Sequence, residues 1–249
     1  MSQGDIEQVM RGDNYIYLLI QGGDVVVIDP SEARPVLEVL RGRNLRCIFN
    51  THEHGDHTGG NEELKEKTGC LIAGPPGKIP ARDLTAREDD HPLDQCIPGL
   101  KVLAVPGHTP ASVAYYVPFA GIVFTGDTLF AGGCGRLMGG SAATMYASLM
   151  RLASLPPQTL VYCGHEYTLE NLRFAATVEP GNDALQRRLR EVASLYEAGK
   201  TTMPSTIGLE GETNPFLRVH SAEIRDRLDM AGASPVDVFA ELRRRKDVF

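Results

Sequence analysis

Three histidines and two acidic residues stand within six positions: His52, Glu53, His54, Asp56 and His57, in the stretch "FNTHEHGDHTGGN". They take three of the chain's seven histidines. In an extended segment side chains alternate, so His52 and His54 face the same way and offer half of a metal site. A helix opening near Asp56 would aim a carboxylate and a third imidazole at a second ion, and Gly55, Gly59 and Gly60 let the backbone bend there. Two ions need further donors. His108 in "AVPGHTPAS", Asp127 in "VFTGDTLF" and His165 in "VYCGHEY" each follow a strand-like run, where loops build sites on a rigid frame. Asp127 is the natural bridge, since one carboxylate can ligate two ions about 3.5–4 Å apart. A metal bound there would lower the pKa of its water to about 7, so hydroxide would be available without a Ser or Cys nucleophile. Asp29, ending "VVVID", either orients a ligand imidazole or serves as a turn carboxylate before Pro30. His91 and His220 sit among polar neighbours and read as surface residues.

The elements that must position these residues alternate in type. Residues 15–20 and 24–29 read as a hairpin about Gly22-Gly23. "EARPVLEVLRG" reads as a helix ending at Gly42, "RCIFN" as the strand that delivers Thr51, and "GGNEELKEKTG" as a helix closed by Gly69. "LKVLAVPG", "SVAYYV", "GIVFTG" and "TLVYCG" are short apolar, β-rich runs ending near Gly, as buried strands do. Sheets with helices on both outer faces bury both kinds of element. From about Thr168 the pattern turns helical. In residues 183–199, Leu185, Leu189, Val192 and Tyr196 form one apolar stripe, with Asn182 as N-cap and Gly199 as stop. Ser234 and Pro235 open the last helix. A domain boundary is placed near Thr168.

With 249 residues and 42% hydrophobic content the chain supports a packed core. A net charge of −7 argues against general nucleic-acid binding. No apolar run approaches the ~18 residues of a membrane helix, and the polar N-terminus has no signal-peptide pattern. Five cysteines without a CxxC pair read as reduced, mostly small buried hydrophobes of a cytoplasmic protein.

The motif THxHxDHxGG with a downstream His, Asp and His resembles the metallo-β-lactamase superfamily. "DNYIYL", "FTGDTLFAGGCGR", "VYCGHEYTLENLRFA", "EPGN", "PSTIGLEGETNPFLR" and "RRRKD" extend the resemblance, over positions 13 to 247, to glyoxalase II, the hydroxyacylglutathione hydrolases. THxHxDH alone marks only the superfamily; the C-terminal segments single out the family. The resemblance implies an α/β (α+β) fold, an αββα sandwich at 1–167 with a C-terminal helical, glutathione-binding domain at 168–249. It implies one metal held by His52, His54 and His108 and another by Asp56, His57 and His165. Asp127 and a hydroxide would bridge them. The ions would be zinc first, with iron or manganese as alternatives. The reaction would be hydrolysis of S-D-lactoylglutathione to D-lactate and glutathione, by a monomer, and Asp56 would accept a proton during turnover.

Glutathione ends in a carboxylate, and cations are its partners. Arg243 and Lys246, spaced i and i+3, share a helix face. They match family positions that hold that carboxylate; Arg136 and Tyr167 match further glutathione contacts. One departure stands out: where the family shows a tyrosine after "CGR", this chain has Met138, and a polar anchor is lost. His54 and Asp127 replace the Glu of flavo-diiron relatives and the Cys of some β-lactamases. The competing activity is a persulfide dioxygenase with one iron, which shares the opening motif but not the "NPFLR" tail.

Overall fold

The structure is a computed structural model that describes residues 5–88 and 92–249. Two compact units divide the chain: Met1–Ala104 with Ala111–Gly126, and Val105–Pro110 with Asp127–Phe249.

In the first unit β1 (Asp5–Arg11), β2 (Asn14–Gln21) and β3 (Asp24–Ile28) run antiparallel. The helix α1 (Ala33–Leu40) leads to β4 (Asn44–Phe49). Then come α2 (Gly55–Thr58), α3 (Asn61–Thr68), β5 (Leu71–Gly74) and β6 (Leu84–Thr85). Strands β3 to β6 are parallel neighbours in a six-stranded sheet ordered β1 to β6. A second, antiparallel set follows: β7 (Lys101–Ala104), β8 (Val113–Val117) and β9 (Ile122–Gly126).

The expected hairpin is present, with Gln21 opposite Asp24. Strand alternation sends Ile16 and Leu18 to one face, where they join Val36, Leu40 and Leu64 of α1 and α3 in a buried cluster. The opposite face carries Tyr17, whose ring lies 5.6 Å from that of Phe124 on β9. Phe49 stacks on Tyr115 of β8 at 4.9 Å. Both faces of the large sheet are therefore covered, which is why its strands read as continuous apolar runs. The strand β1 escapes the sequence reading because its residues, DIEQVMR, are mixed and only partly buried.

In the second unit β10 (Leu129–Phe130) pairs with β11 (Gly133–Cys134) in a tight hairpin. After α4 (Ala142–Ala153), β12 (Leu160–Cys163), α5 (Thr168–Val178) and α6 (Asp183–Glu197) come β13 (Ser205–Thr206), α7 (Ile207–Thr213), α8 (Ala222–Arg227) and α9 (Pro235–Asp247). The caps fall as expected: Asn182 accepts from the Leu185 N–H at 3.1 Å, and Ser234 from Asp237 at 3.2 Å. Leu185 and Val192 are buried with Leu189 packed against them, but Tyr196, expected in the same stripe, is 57% exposed. Its place at i+11 lies on the last turn of α6, beyond the cluster with α5.

The cysteines do not all stay apart. Cys47 and Cys96 form a disulfide with Cα atoms 6.2 Å apart, whereas Cys70, Cys134 and Cys163 are buried and not disulfide-bonded. The sequence reading of an unpaired set is corrected here: 49 residues separate the partners, and no motif announces a pair that only the sheet brings together. His220 is exposed, as expected, and His91 lies outside the described residues. No described helix is long and apolar enough to cross a membrane.

Candidate metal centre

The first unit presents four of the expected ligands on the loop after β4 and on α2. His52 Nε2 lies 3.0 Å from His54 Nδ1, and His57 Nε2 lies 3.8 Å from a carboxylate oxygen of Asp56. Two donors bound to one tetrahedral ion at 2.0–2.1 Å would lie about 3.3 Å apart, so both separations suit a shared ion.

Partners behind the imidazoles fix which nitrogen each offers. The Asp29 carboxylate is the centre of this support. One oxygen accepts from the Thr51 N–H at 2.8 Å. The other accepts from the Thr51 hydroxyl at 2.7 Å and faces His57 Nδ1 at 3.0 Å. His57 Nδ1 therefore carries the proton, and its Nε2 keeps a lone pair. Thr51 has spent its only hydroxyl proton on Asp29, so at 3.0 Å it accepts from His52 Nδ1, which leaves His52 Nε2 basic as well. Asp29 thus has the orienting role, and it adopts a left-handed φ of 49° to do so. Its buried charge also pushes the Tyr115 hydroxyl up, second to the burial of that ring. Tyr115 donates to the Asn50 carbonyl at 2.7 Å and so steadies the loop's start. Gly126 approaches Thr51 so closely that a Cβ there would lie 2.3 Å from its hydroxyl oxygen, and φ is +49°. Only glycine fits.

Asp56 is held differently. Its side chain is half exposed, and Asn14 Nδ2 donates to its backbone carbonyl at 3.0 Å and its carboxylate at 3.4 Å.

The second unit presents the other three. His108 Nε2 and His165 Nε2 stand 3.5 and 3.3 Å from the same oxygen of Asp127, Oδ2. His108 Nδ1 donates to the Arg136 carbonyl at 2.9 Å, which again leaves Nε2 for a metal. The close approach of Gly135 allows this, since a Cβ there would lie 2.0 Å from the Asp127 carbonyl oxygen. His165 stacks on Tyr167, centroids 4.9 Å apart and planes 3° from parallel. All three side chains are nearly closed to solvent. Five imidazoles, three of them with Nε2 left as the lone-pair nitrogen, and a shared carboxylate fit divalent ions, and the chain binds them.

Asp127 and His108 also line a cavity of about 460 Å³ whose wall includes Arg136, Met138, Tyr167, Arg243 and Lys246. The four residues expected to meet substrate thus lie along one wall, each already engaged. Arg243 is buried, donates to the Cys134 carbonyl at 2.8 Å and pairs with Asp247 at 3.0 Å. Lys246 pairs with Glu170, and its ammonium lies 5.3 Å from the Phe249 ring. The Arg136 side chain is largely exposed, 3.9 Å from Asp247. Three cations, Arg136, Arg243 and Lys246, share the lining with three carboxylates, Asp127, Glu170 and Asp247. Met138, 65% exposed, puts an apolar side chain where the polar anchor is missing. Cys134 in the same wall is no nucleophile: burial outweighs Arg243 and pushes its thiol up to about 11.

Sequence reasoning missed the supports of Asp127. Glu210, fully buried, accepts from the Gly132 N–H at 2.8 Å and from Asn214 at 3.0 Å. Asn214 donates to the Phe130 and Gly133 carbonyls. Buried Arg188 neutralises Glu210 at 2.5 Å. These bonds fasten the β10–β11 hairpin directly after Asp127. The signal was present in "GLEGETNPFLR", which marked the family but carried no assigned role.

Comparison with known proteins matches the family description "Metallo-beta-lactamase superfamily" to residues 9–165 and "Hydroxyacylglutathione hydrolase C-terminus" to residues 166–249. A hydroxyacylglutathione hydrolase of Methylococcus capsulatus is 50% identical over 95% of both chains. The chain belongs to the hydroxyacylglutathione hydrolases. One from Rhodospirillum rubrum is 47% identical over the full length of both. Among solved structures, ETHE1 from Myxococcus xanthus superposes with a TM-score of 0.65 at 25% identity, covering 98% of this chain and 99% of that one. A protein solved in a di-iron-bound form gives 0.60 at 29% identity, covering 86% and 100%. The α/β metallo-β-lactamase fold with a C-terminal helical part, expected from the sequence, is the fold of this family.

Proposed function

We propose that this chain hydrolyses glutathione thioesters, S-D-lactoylglutathione first, to the hydroxy acid and glutathione. The observation that carries the reading is Asp127 Oδ2 between two imidazoles, in the lining of a cavity whose wall holds Arg136, Arg243 and Lys246. Carried over from the family resemblance, His52, His54 and His108 hold one ion and Asp56, His57 and His165 the other. Asp127 is common to both. Zinc is the resident metal of this reading, with iron and manganese as alternatives. Bound divalent ions supply a water of pKa about 7 and a Lewis acid for the thioester carbonyl.

The chain's own residues do the rest. Lys246 and Arg243 attract the glycine carboxylate of glutathione; Arg136 adds charge at the exposed side, and Tyr167 presents a ring fixed by its stack on His165. Residues 168–249 serve as the substrate-binding part, closing on the wall from α5 and α9. Asp56, half exposed and steadied by Asn14, takes the proton released on attack. The chain works as a cytoplasmic monomer in this reading.

The test is an assay of purified protein with S-D-lactoylglutathione alongside metal analysis. Turnover with about two ions per chain is expected. One tightly bound iron, with oxygen uptake on glutathione persulfide, would replace this reading with a dioxygenase. Lys246→Ala should raise KM for the thioester about 10-fold and leave kcat within a factor of about 3, as loss of one charge-assisted bond predicts. An unchanged KM would remove Lys246 from substrate binding.

A further inference from the structure

The proposed hydrolysis has no use for the cysteines of the first unit, yet three of them surround one cleft. Cys47 sits on β4 and Cys96 follows the 3-10 turn Pro92–Gln95; their disulfide joins the two segments. A cleft of about 230 Å³ is lined by both cysteines, by Cys70, and by polar groups of Asn44, Arg46, Thr68 and Gln95. The bridge is nearly closed to bulk solvent, at 1% and 3% exposure, so the cleft is the route to it. A space of that size admits part of a small molecule.

We propose that this cleft is a thiol–disulfide exchange site. A small thiol of the glutathione class opens the Cys47–Cys96 bridge there, and the corresponding small disulfide closes it. The assignment of glutathione itself rests on the proposed hydrolysis, which releases that thiol. In the opening step the incoming thiolate forms an S–S bond to one bridge sulfur as the Cys47–Cys96 bond breaks. The departing cysteine leaves as thiolate and takes up the proton the thiol gave up. A second thiol displaces the first as a small disulfide. Two thiols are oxidised, and the bridge gains two electrons and two protons.

The surroundings suit this chemistry. Arg46 places a cation on the cleft wall, which favours thiolates and carboxylate-bearing thiols. It also donates to the Gln95 carbonyl at 2.5 Å and pairs with Asp24 at 3.2 Å, so the turn stays on β4 when the bridge opens. Cys70 does not compete, because burial raises its thiol above the ordinary value and keeps it protonated. The consequence reaches the metal centre. Residues 48–95, the loop the bridge closes, contain His52, His54, Asp56 and His57, so exchange switches the covalent closure of the ligand loop on and off.

The experiment counts thiols in the full-length protein, with no thioester present, so its result is independent of the hydrolase reading. Protein equilibrated with glutathione and glutathione disulfide is quenched with acid, unfolded, alkylated in denaturant and mapped by mass spectrometry. In excess disulfide three cysteines should alkylate and a Cys47–Cys96 cross-linked peptide should appear; in excess thiol all five should alkylate. The bridged fraction should follow the ratio of disulfide to squared thiol. Cys96→Ser should trap one glutathionyl group on Cys47, and Cys47→Ser/Cys96→Ser should trap none. Five alkylated cysteines at every ratio would refute the bridge, and three at every ratio would refute exchange. Adducts confined to Cys70, Cys134 or Cys163 would refute the site. Should the variants fail to fold, the wild-type count decides alone.

Discussion

Asp127→Ala is expected to lower bound metal from about two ions per chain to below one, and thioester turnover by on the order of 1,000-fold or more. The size of the effect follows from the position of one oxygen. Oδ2 of Asp127 is 3.5 Å from His108 and 3.3 Å from His165, so it completes a donor pair with each imidazole. Removing it leaves two buried imidazoles without the negative charge that would balance a cation between them. Loss of metal then removes the activated water, and no side chain in the wall replaces it, since the Cys134 thiol stays protonated up to about 11. Two controls separate this from a folding defect. Wild-type protein stripped by a chelator should match the variant in activity and melting temperature, and added metal should restore only the wild type. Asp127→Asn, which keeps shape and loses charge, should fall close to alanine. Two tightly bound ions with near-normal turnover in either variant would show that Asp127 is not the bridge.

The candidate ligands stand out in the sequence because their signal is local. "THEHGDH" packs four donors into one loop, and His108, Asp127 and His165 each end a recognisable strand. The caps at Asn182 and Ser234 were legible for the same reason. What supports these candidate side chains was not legible. The carbonyl of Arg136 orients His108 from 28 residues away, and a backbone acceptor has no residue type to read. Asn14 reaches Asp56 across 42 residues, and Glu210 reaches Gly132 across 78. The Cys47–Cys96 bridge depends on chain geometry in the same way. Tyr196 shows the converse error, a helical period continued one turn past the neighbour that buries it. Asp29 lies between these cases: its strand-end position suggested a role, but only the three atoms around its carboxylate choose between orienting a ligand and capping a turn.

Asp29 substitutions should separate ligand orientation from backbone strain. Asp29 does two things at once: its carboxylate sets the tautomers of His57 directly and His52 through Thr51, and its backbone occupies φ +49°. Alanine loses the carboxylate and is also strained, by roughly 1–2 kcal/mol in the left-handed region. Glycine loses the carboxylate without that strain. Asparagine tolerates the conformation and keeps one acceptor, but it loses the negative charge that faces the Nδ1 proton of His57. Metal affinity should therefore fall by about 10–100-fold in Asp29→Gly and Asp29→Ala alike, as it does when an orienting partner behind a ligand is removed, and less in Asp29→Asn. The melting temperature should order differently: alanine lowest, glycine higher, asparagine nearest the wild type. The two readouts, metal titration by calorimetry and thermal unfolding of the chelated protein, respond to different halves of the residue. If Asp29→Gly bound metal as tightly as wild type while alanine did not, strain would account for the whole effect, and the carboxylate would have no part in setting the imidazoles.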